Sequence, residues 1–519
     1  MSQSNNEMFG FIEDLEQRKE KAKLMGGKEK IEKQHSLGRL TARERVDKLL
    51  DPESFVELGM LNHSAVPGKE DSSSGDGLVS GLGKINGRPI VVMAIDKTVF
   101  AGSEGSVHMR KTEMVHTYGA KRGLPIFTLG EGGGLRMPDG MGSDGISDKM
   151  MPMHLLKHER KVPVFTNIMG DSYGGASWVA AVSDIVVQVK GTCMAVAGPR
   201  MLEIATGEKI SPEELGGWKI HAEHTGQVDF FAENEEESLE VMKNAFEYFP
   251  SHAEEEPPFR KTHDDPYRRL DEVIDLVPTR RTRAYDMKQL IKLIVDDHIF
   301  TEINESFGKA LIVGFAHLNG RVVGIVANQP MRNAGAAGPE ECEKATEFIC
   351  LCDSWNIPLI FLHDVPGFLV GSSAEKRKMP TKVMVWNQAL AWSTVPKISV
   401  VIRKSIGAAY GNMCGPLMGA DFVVAWPTAE ISFTGPEVGI NVVYGRKLME
   451  CDNPDLERKE LLKQWEFESS PYQAAGKHLI DDVIDPRDTR KFLCQTLEYA
   501  CHKNGSKGKR LLANWPTGF

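Results

Sequence analysis

The sequence predicts an α/β protein built as a tandem duplication of one domain. Three observations support this: apolar strand-like runs alternate with amphipathic stretches, the two halves repeat one another in register, and glycine-rich turns follow equivalent apolar runs in both halves. A chain of 519 residues, 41% of them hydrophobic, has room for about two to four packed domains. Its 50 glycines, about one residue in ten against roughly 7% in ordinary usage, show neither a collagen period nor linker monotony, which assigns the surplus to turns.

Taken in order, residues 13–50 have helical spacing and mixed charge, broken at Gly26-Gly27 and restarted near Ser36-Leu37-Gly38. Residues 89–94 and 124–129 read as strands. Residues 251–283 form the clearest break, because Glu254-Glu255-Glu256-Pro257-Pro258 and His263-Asp264-Asp265-Pro266 are polar and proline-rich, as linkers are. The expected division is an N-terminal domain over 1–255, a linker over 256–283 and a C-terminal domain over 284–519.

The repeat has a fixed register. Asn86-Gly87-Arg88 recurs as Asn319-Gly320-Arg321, a spacing of 233 residues, and the same spacing pairs Ala101-Gly102 with Ala334-Gly335, Glu131 with Asp364 and Gly134 with Gly367. It also pairs Val162-Pro163 with Val395-Pro396 and Gly174-Gly175-Ala176 with Gly407-Ala408-Ala409. Further on the spacing becomes 237, joining Asp184 to Asp421 and Gly198-Pro199 to Gly435-Pro436. Upstream it is 245, where Leu49-Leu50-Asp51 echoes Ile294-Val295-Asp296. A period above 200 residues is too long for a solenoid, so each copy is expected to have its own core.

Composition excludes several classes. The formal charge of −10 argues against a nucleic-acid binder, which needs a basic surface. Charged residues interrupt every apolar run before membrane-spanning length. The first thirty residues carry Glu13, Asp14, Glu16 and Glu20 and lack a secretory core. Eight scattered cysteines beside apolar stretches read as buried thiols of a reducing cytoplasm (or of a mitochondrial matrix in a eukaryotic host), and no His or Cys spacing suggests a metal.

Each copy holds two small-residue turns: residues 131–136 and 170–176 in the first, 364–368 and 404–410 in the second. Such a turn, opening a helix, offers free backbone N–H groups that stabilise negative charge on a ligand oxygen. The competing reading is that the glycines only permit positive φ or close packing. Side-chain chemistry is sparse, with no G-x-S-x-G elbow, H-E-x-x-H helix or P-loop lysine. Ser172 has no identifiable triad partner. His108 and His116 read as solvated or capping, Glu208, Glu213 and Glu214 as surface acids, and Asp364 as a turn cap or a catalytic acid. A donor site without a nucleophile suits enolate chemistry.

Gly38–Pro52, Phe55–Leu58, Glu214–Gly217, Gly324–Pro330, Asp364–Phe368 and Ala425–Thr428 together resemble the carboxyltransferase β subunit of biotin-dependent acyl-CoA carboxylases of the propionyl-CoA and methylcrotonyl-CoA type. The resemblance implies two crotonase-like (ClpP/crotonase) β-β-α superhelix domains. The N-terminal domain then holds acyl-CoA and the C-terminal domain holds biotin, which a separate carrier delivers after a biotin carboxylase has charged it. It also implies a homohexamer and no metal.

Carried over by position, Gly174 and Gly175 face the acyl-CoA carbonyl, and Ala408 and Ala409 face the biotin ureido oxygen. Gly133, Gly134 and Leu135 line the acyl-CoA side; Gly367 and Phe368 line the biotin side; Tyr410 and Gly411 lie near the acyl pocket. Three departures stand out: Gly132–Gly140 and Glu375–Lys382 differ from the usual pattern, and Gly411 replaces an aspartate, which implies an acyl group bulkier than propionyl. The alternatives are a biotin-dependent decarboxylase or transcarboxylase, a biotin-independent crotonase-like acyl-CoA enzyme, or a non-catalytic acyl-CoA-binding subunit.

Overall fold

The computed structural model describes residues 2–147, 160–502 and 510–515. They form two compact units that divide between Ala253 and Glu254. In the first unit the strands are β1 (Val56–Glu57), β2 (Leu78–Ile85), β3 (Arg88–Ile95), β4 (Ile126–Gly130), β5 (Val164–Ile168), β6 (Ser172–Tyr173), β7 (Ile185–Val189), β8 (Met194–Ala195) and β9 (Phe230–Ala232). Seven make one sheet in the order β1-β2-β3-β4-β5-β7-β9, while β6 and β8 pair separately. The first three strands run antiparallel and the rest parallel. The parallel strands β4, β5 and β7 are buried throughout, which explains their near-continuous apolar sequence.

The second unit repeats the plan with β10 (Phe300–Ile303), β11 (Leu311–Leu318), β12 (Arg321–Asn328), β13 (Leu359–Val365), β14 (Lys397–Ile406), β15 (Phe422–Ala425), β16 (Glu430–Ser432) and β17 (Asp482–Val483). The order is β10-β11-β12-β13-β14-β15-β17, with β16 beside the end of β14. The tandem α/β architecture is therefore as the repeat predicts.

The repeated residues have identifiable tasks. Asn86-Gly87 and Asn319-Gly320 both have positive φ (50° and 77°, 49° and 79°), as a two-residue hairpin turn between twisted strands requires. The carboxylate of Asp51 accepts hydrogen bonds from the N–H groups of Asn86 (2.9 Å) and Gly87 (2.7 Å). Asp296 does the same for Asn319 (3.0 Å) and Gly320 (2.8 Å). Asp184 and Asp421 each accept from the first residue of a central strand, Val164 and Lys397, at 2.9 and 2.8 Å. Spacings of 245 and 237 thus mark caps that hold the same hairpin and the same strand start in each copy.

Helices Lys28–Ser36 and Ala42–Leu49 follow the expected break, and Thr41 and Glu44 form a reciprocal capping box at the second. The linker expected over 256–283 is instead part of the second unit. Leu270, Val273 and Val277 enter its core beside Ile291, Ile360 and Ile398. Each such side chain contributes about 1.5–3 kcal/mol when buried, so the polar, proline-rich start of this segment does not leave it free. Among the described residues no helix is long and apolar enough to cross a membrane.

Candidate active site

In the first unit the two small-residue turns meet. The chain pairs as a parallel bridge at Glu104 and Leu135, with Glu104 N donating to Gly134 O and Arg136 N donating to Glu104 O, both at 2.9 Å. Gly133 donates its N–H to Gly102 O at 3.0 Å, so it holds the turn rather than a ligand. Gly134, at φ 77°, lies against the second turn: a Cβ on Gly174 would sit 3.7 Å from Gly134 Cα. Arg136 is buried and committed to Asp76 (2.8 Å), Asp139 (3.4 Å) and the Ser64 hydroxyl (3.0 Å), which fixes the segment that departs from the family pattern.

The second turn separates the pair Gly174 and Gly175. Gly174 (φ 58°, ψ −122°) donates its N–H to the carbonyls of Ala195 and Val196, at 3.3 and 3.1 Å. It shapes the turn and has no donor left. Helix Gly175–Ala181 begins next, and its first N–H groups have no partner four residues back. Its earliest backbone bond is Trp178 N to Gly174 O. The free donors are therefore those of Gly175 and Ala176.

The second unit shows the same geometry. Gly407 (φ 67°, ψ −152°) donates its N–H to Ser432 O at 2.9 Å, and helix Ala408–Asn412 leaves Ala408 and Ala409 as free donors. Ala408 faces outward while the methyl of Ala409 is buried, matching half-buried Gly175 and buried Ala176. Ala337 bridges Phe368, with Ala337 N donating to Gly367 O at 3.2 Å, and the Phe368 ring meets Trp386 edge-on at 6.3 Å. Tyr410 packs edge-on to His363 at 6.2 Å, and burial pushes His363 down to about 3, so this imidazole stays neutral. A Cβ at Gly411 would meet nothing nearer than Met418 Cγ at 3.8 Å. The altered segment 375–382 is held to helix Pro339–Ser354 by the ion pairs Arg377–Glu340 and Lys382–Glu343.

The side-chain expectations resolve as follows. Asp364 is fully buried and paired to Arg403 at 2.8 Å, and Arg403 donates to the carbonyls of Pro278, Arg280 and Arg283. It anchors residues 278–283 rather than capping a turn. Its repeat partner Glu131 accepts from Gln34 (2.8 Å), Arg39 (2.8 Å) and Arg45 (2.7 Å), anchoring the N-terminal helices. His108 and His116 do share helix Ser106–Arg122, but both are buried rather than solvated, and burial pushes His108 down to about 4. Ser172 is buried, with its hydroxyl donating to Gly170 O at 3.4 Å. Glu214 belongs to an exposed capping box with Ser211. All eight cysteines are free thiols, and burial pushes Cys342 and Cys414 up to about 12.

Two features escaped the sequence. Lys111 and Lys344, 233 residues apart, are buried ammonium groups that donate to backbone carbonyls, those of Gly59 and Leu78 in one copy and of Phe307 and Leu311 in the other. Burial pushes both down to about 8. Glu104 is the other: its carboxyl lies against Gly175, where a Cβ would be 2.6 Å from Glu104 Oε2, and burial pushes it up to about 7. Extending the repeat by a few positions exposes both, since Lys111 meets Lys344 and Glu104 meets Ala337.

A model of the carboxyl transferase domain matches residues 33–514. The propionyl-CoA carboxylase carboxyltransferase subunit of Haloferax mediterranei is 36% identical over 97% of this chain and 99% of its own length. The methylmalonyl-CoA carboxyltransferase 12S subunit of Propionibacterium freudenreichii subsp. shermanii is 35% identical over 99% of this chain and 100% of its own. A solved transcarboxylase 12S structure, described as a hexamer assembly with methylmalonyl-coenzyme A and methylmalonic acid bound, superposes with a TM-score of 0.91 at 35% identity, covering 97% of each chain. With the duplicated crotonase-like units and their paired donor turns, this match over nearly the whole length places the chain in the carboxyl transferase domain family, whose members are carboxyltransferase enzymes.

Proposed function

We propose that this chain is the carboxyltransferase subunit of an acyl-CoA carboxylase, moving a carboxyl group from carboxybiotin on a separate carrier to the α (or vinylogous γ) carbon of an acyl-CoA. The observation that carries the reading is the duplication of one donor turn, with Gly175 and Ala176 in the first unit and Ala408 and Ala409 in the second. Enolate chemistry between two carbonyl partners develops negative charge on two oxygens, and each needs preorganised donors. A lost donor of this kind costs about 10²–10³ in kcat.

The second turn fits the ureido group of biotin. Its two donors are free, Gly407 has a backbone that an L side chain rarely adopts, and Ala408 is small and outward-facing. Ala408 and Ala409 would hold the ureido oxygen there, and the bound group would supply the carboxyl that is transferred. On the acyl side Gly175 and Ala176 receive the thioester oxygen, Gly174 sets the turn, and Gly134 and Leu135 form its neighbouring wall. The partners implied are a biotin carboxylase and a biotin carrier, in a complex with six copies of this chain. The relative named as a carboxyltransferase acting on methylmalonyl-CoA supports a transcarboxylase running the same step in either direction.

The test is carboxyl transfer with purified chain, biotinylated carrier and a panel of acyl-CoAs, for wild type and Ala408→Val. Ala408 faces outward, so the variant is expected to melt with wild type yet transfer at least about 100-fold more slowly. Full transfer by the variant contradicts the role of the second turn. Acyl-CoA turnover unaffected by avidin supports a biotin-independent enzyme instead.

A further inference from the structure

Glu104 stands apart from every other buried acid described above. Asp364, Glu131 and Asp296 are each tied to arginines or backbone donors. Among the described residues the Glu104 carboxyl has neither an ion pair nor a hydrogen bond. The nearest cationic chain position, Arg136, gives its backbone N–H to Glu104 O but turns its guanidinium to Asp76 and Asp139.

The position of the carboxyl is set by backbone on both sides. Glu104 is clamped to Gly134 and Arg136 of the first turn, and its Oε2 and Oε1 would lie 2.6 and 3.2 Å from a Cβ on Gly175 of the second. Oε1 is also 3.9 Å from where a Cβ on Gly132 would be.

The duplicated domain shows that this acid is not required by the fold. The same bridge in the second unit is made by Ala337, opposite Ala408. One copy pairs a glutamate with a glycine where the other pairs two alanines. A carboxyl that the backbone does without, left unpaired beside free N–H donors, has the placement of a group that meets a ligand.

We propose that Glu104 is a catalytic acid–base residue of the acyl side: its carboxylate takes the proton from the α-carbon of the acyl thioester, and its carboxylic acid returns that proton in the reverse direction. The inference rests on the acyl-CoA reading of the first unit. The C–H electron pair becomes the carbon–carbon double bond of the enolate, and the carbonyl π pair moves onto oxygen beneath the N–H groups of Gly175 and Ala176. The proton resides on Glu104. Negative charge passes from carboxylate to enolate oxygen without a net change in the site, and no further reactant is needed. A carboxyl held near 7 by burial is matched to proton transfer at neutral pH.

The test is hydrogen exchange at the α-carbon of propionyl-CoA in D2O, catalysed by the full chain without a biotin carrier and followed by mass spectrometry. Wild type is expected to incorporate deuterium at a rate that rises with pH through about 7. Glu104→Gln is expected to lose at least about 100-fold. Glu104→Ala, which puts in the residue of the second copy, is expected to melt as a folded protein and lose exchange equally. Exchange undiminished in both variants overturns the proposal. So does absence of exchange by wild type while the complete complex still carboxylates acyl-CoA, an outcome that leaves the carboxyltransferase reading intact. Neither exchange nor carboxylation with any acyl-CoA overturns both.

Discussion

Glu104 and Gly175 exclude one another's side chains: a Cβ on Gly175 would lie 2.6 Å from Glu104 Oε2, and the second copy has Ala337 and Ala408 at these two places. The glutamate end is flexible, so Gly175→Ala is expected to push the carboxyl aside at a cost below about 1 kcal/mol in unfolding free energy. The rate of α-hydrogen exchange is expected to fall about 10–100-fold, as misplacement of a reacting group does. In a Glu104→Ala background the same substitution is expected to change neither quantity further. Urea unfolding and the exchange assay on the two single variants and the double variant measure both.

The Glu104 carboxyl also gives a pH signature to stability. Burial raises it from 4.5 to about 7. Below about pH 4.5 it is neutral in both folded and unfolded chains and costs nothing. Between these values only the unfolded chain ionises, so its contribution makes stability fall as pH rises, and above about 7 the cost is constant. Glu104→Gln removes that cost. The variant is expected to melt with wild type at pH 4 and above it at pH 8. An equal Tm difference at the two pH values contradicts the raised carboxyl.

Arg45 is fully buried between Glu131 and Glu235, each at 2.7 Å, and ties helix Ala42–Leu49 to two other parts of the first unit. Arg45→Met leaves Glu235 buried without its guanidinium partner. Loss of one partner from such a cluster costs about 3–5 kcal/mol. Chemical denaturation of the variant measures it, and a loss under about 1 kcal/mol contradicts the role given to the cluster.

The space at Gly411 bears on acyl choice. A side chain there would meet only Met418 Cγ, at 3.8 Å. On the carboxyltransferase reading, wild type is expected to show its highest kcat/KM with an acyl-CoA longer than propionyl-CoA. Gly411→Asp fills that space and is expected to shift preference toward propionyl-CoA by about tenfold or more, the order of magnitude of one or two methylenes. A wild-type preference for acetyl-CoA contradicts the reading.

The duplication was legible because its repeated residues are those whose backbone or hydrogen-bonding task admits few substitutes. Asn86-Gly87 and Asn319-Gly320 satisfy one turn type, while Asp51 and Asp296 cap it. The small-residue turns were legible for the same reason, since Gly174 and Gly407 occupy conformations that favour glycine. Which donors are free was not legible, because it depends on β8 and β16 arriving to take the N–H groups of Gly174 and Gly407. Residues 256–283 were misread because acids and prolines at 254–266 mask the apolar spacing of Leu270, Val273 and Val277. His108 and His116 were placed on one helix face correctly, but spacing alone does not say whether that face meets solvent. Glu104 was invisible for the opposite reason: it has no counterpart in the second copy, and its meaning lies in a neighbour 71 residues away.

The most direct test is transfer of a radiolabelled carboxyl group from its charged biotin carrier to acyl-CoA by the purified chain. The expected result is label appearing in acyl-CoA at the rate it leaves the carrier, abolished by avidin and slowed at least about 100-fold by Ala408→Val. Label that stays on the carrier with every acyl-CoA offered, or acyl-CoA chemistry that proceeds unchanged with avidin present, contradicts carboxyl transfer between two donor turns.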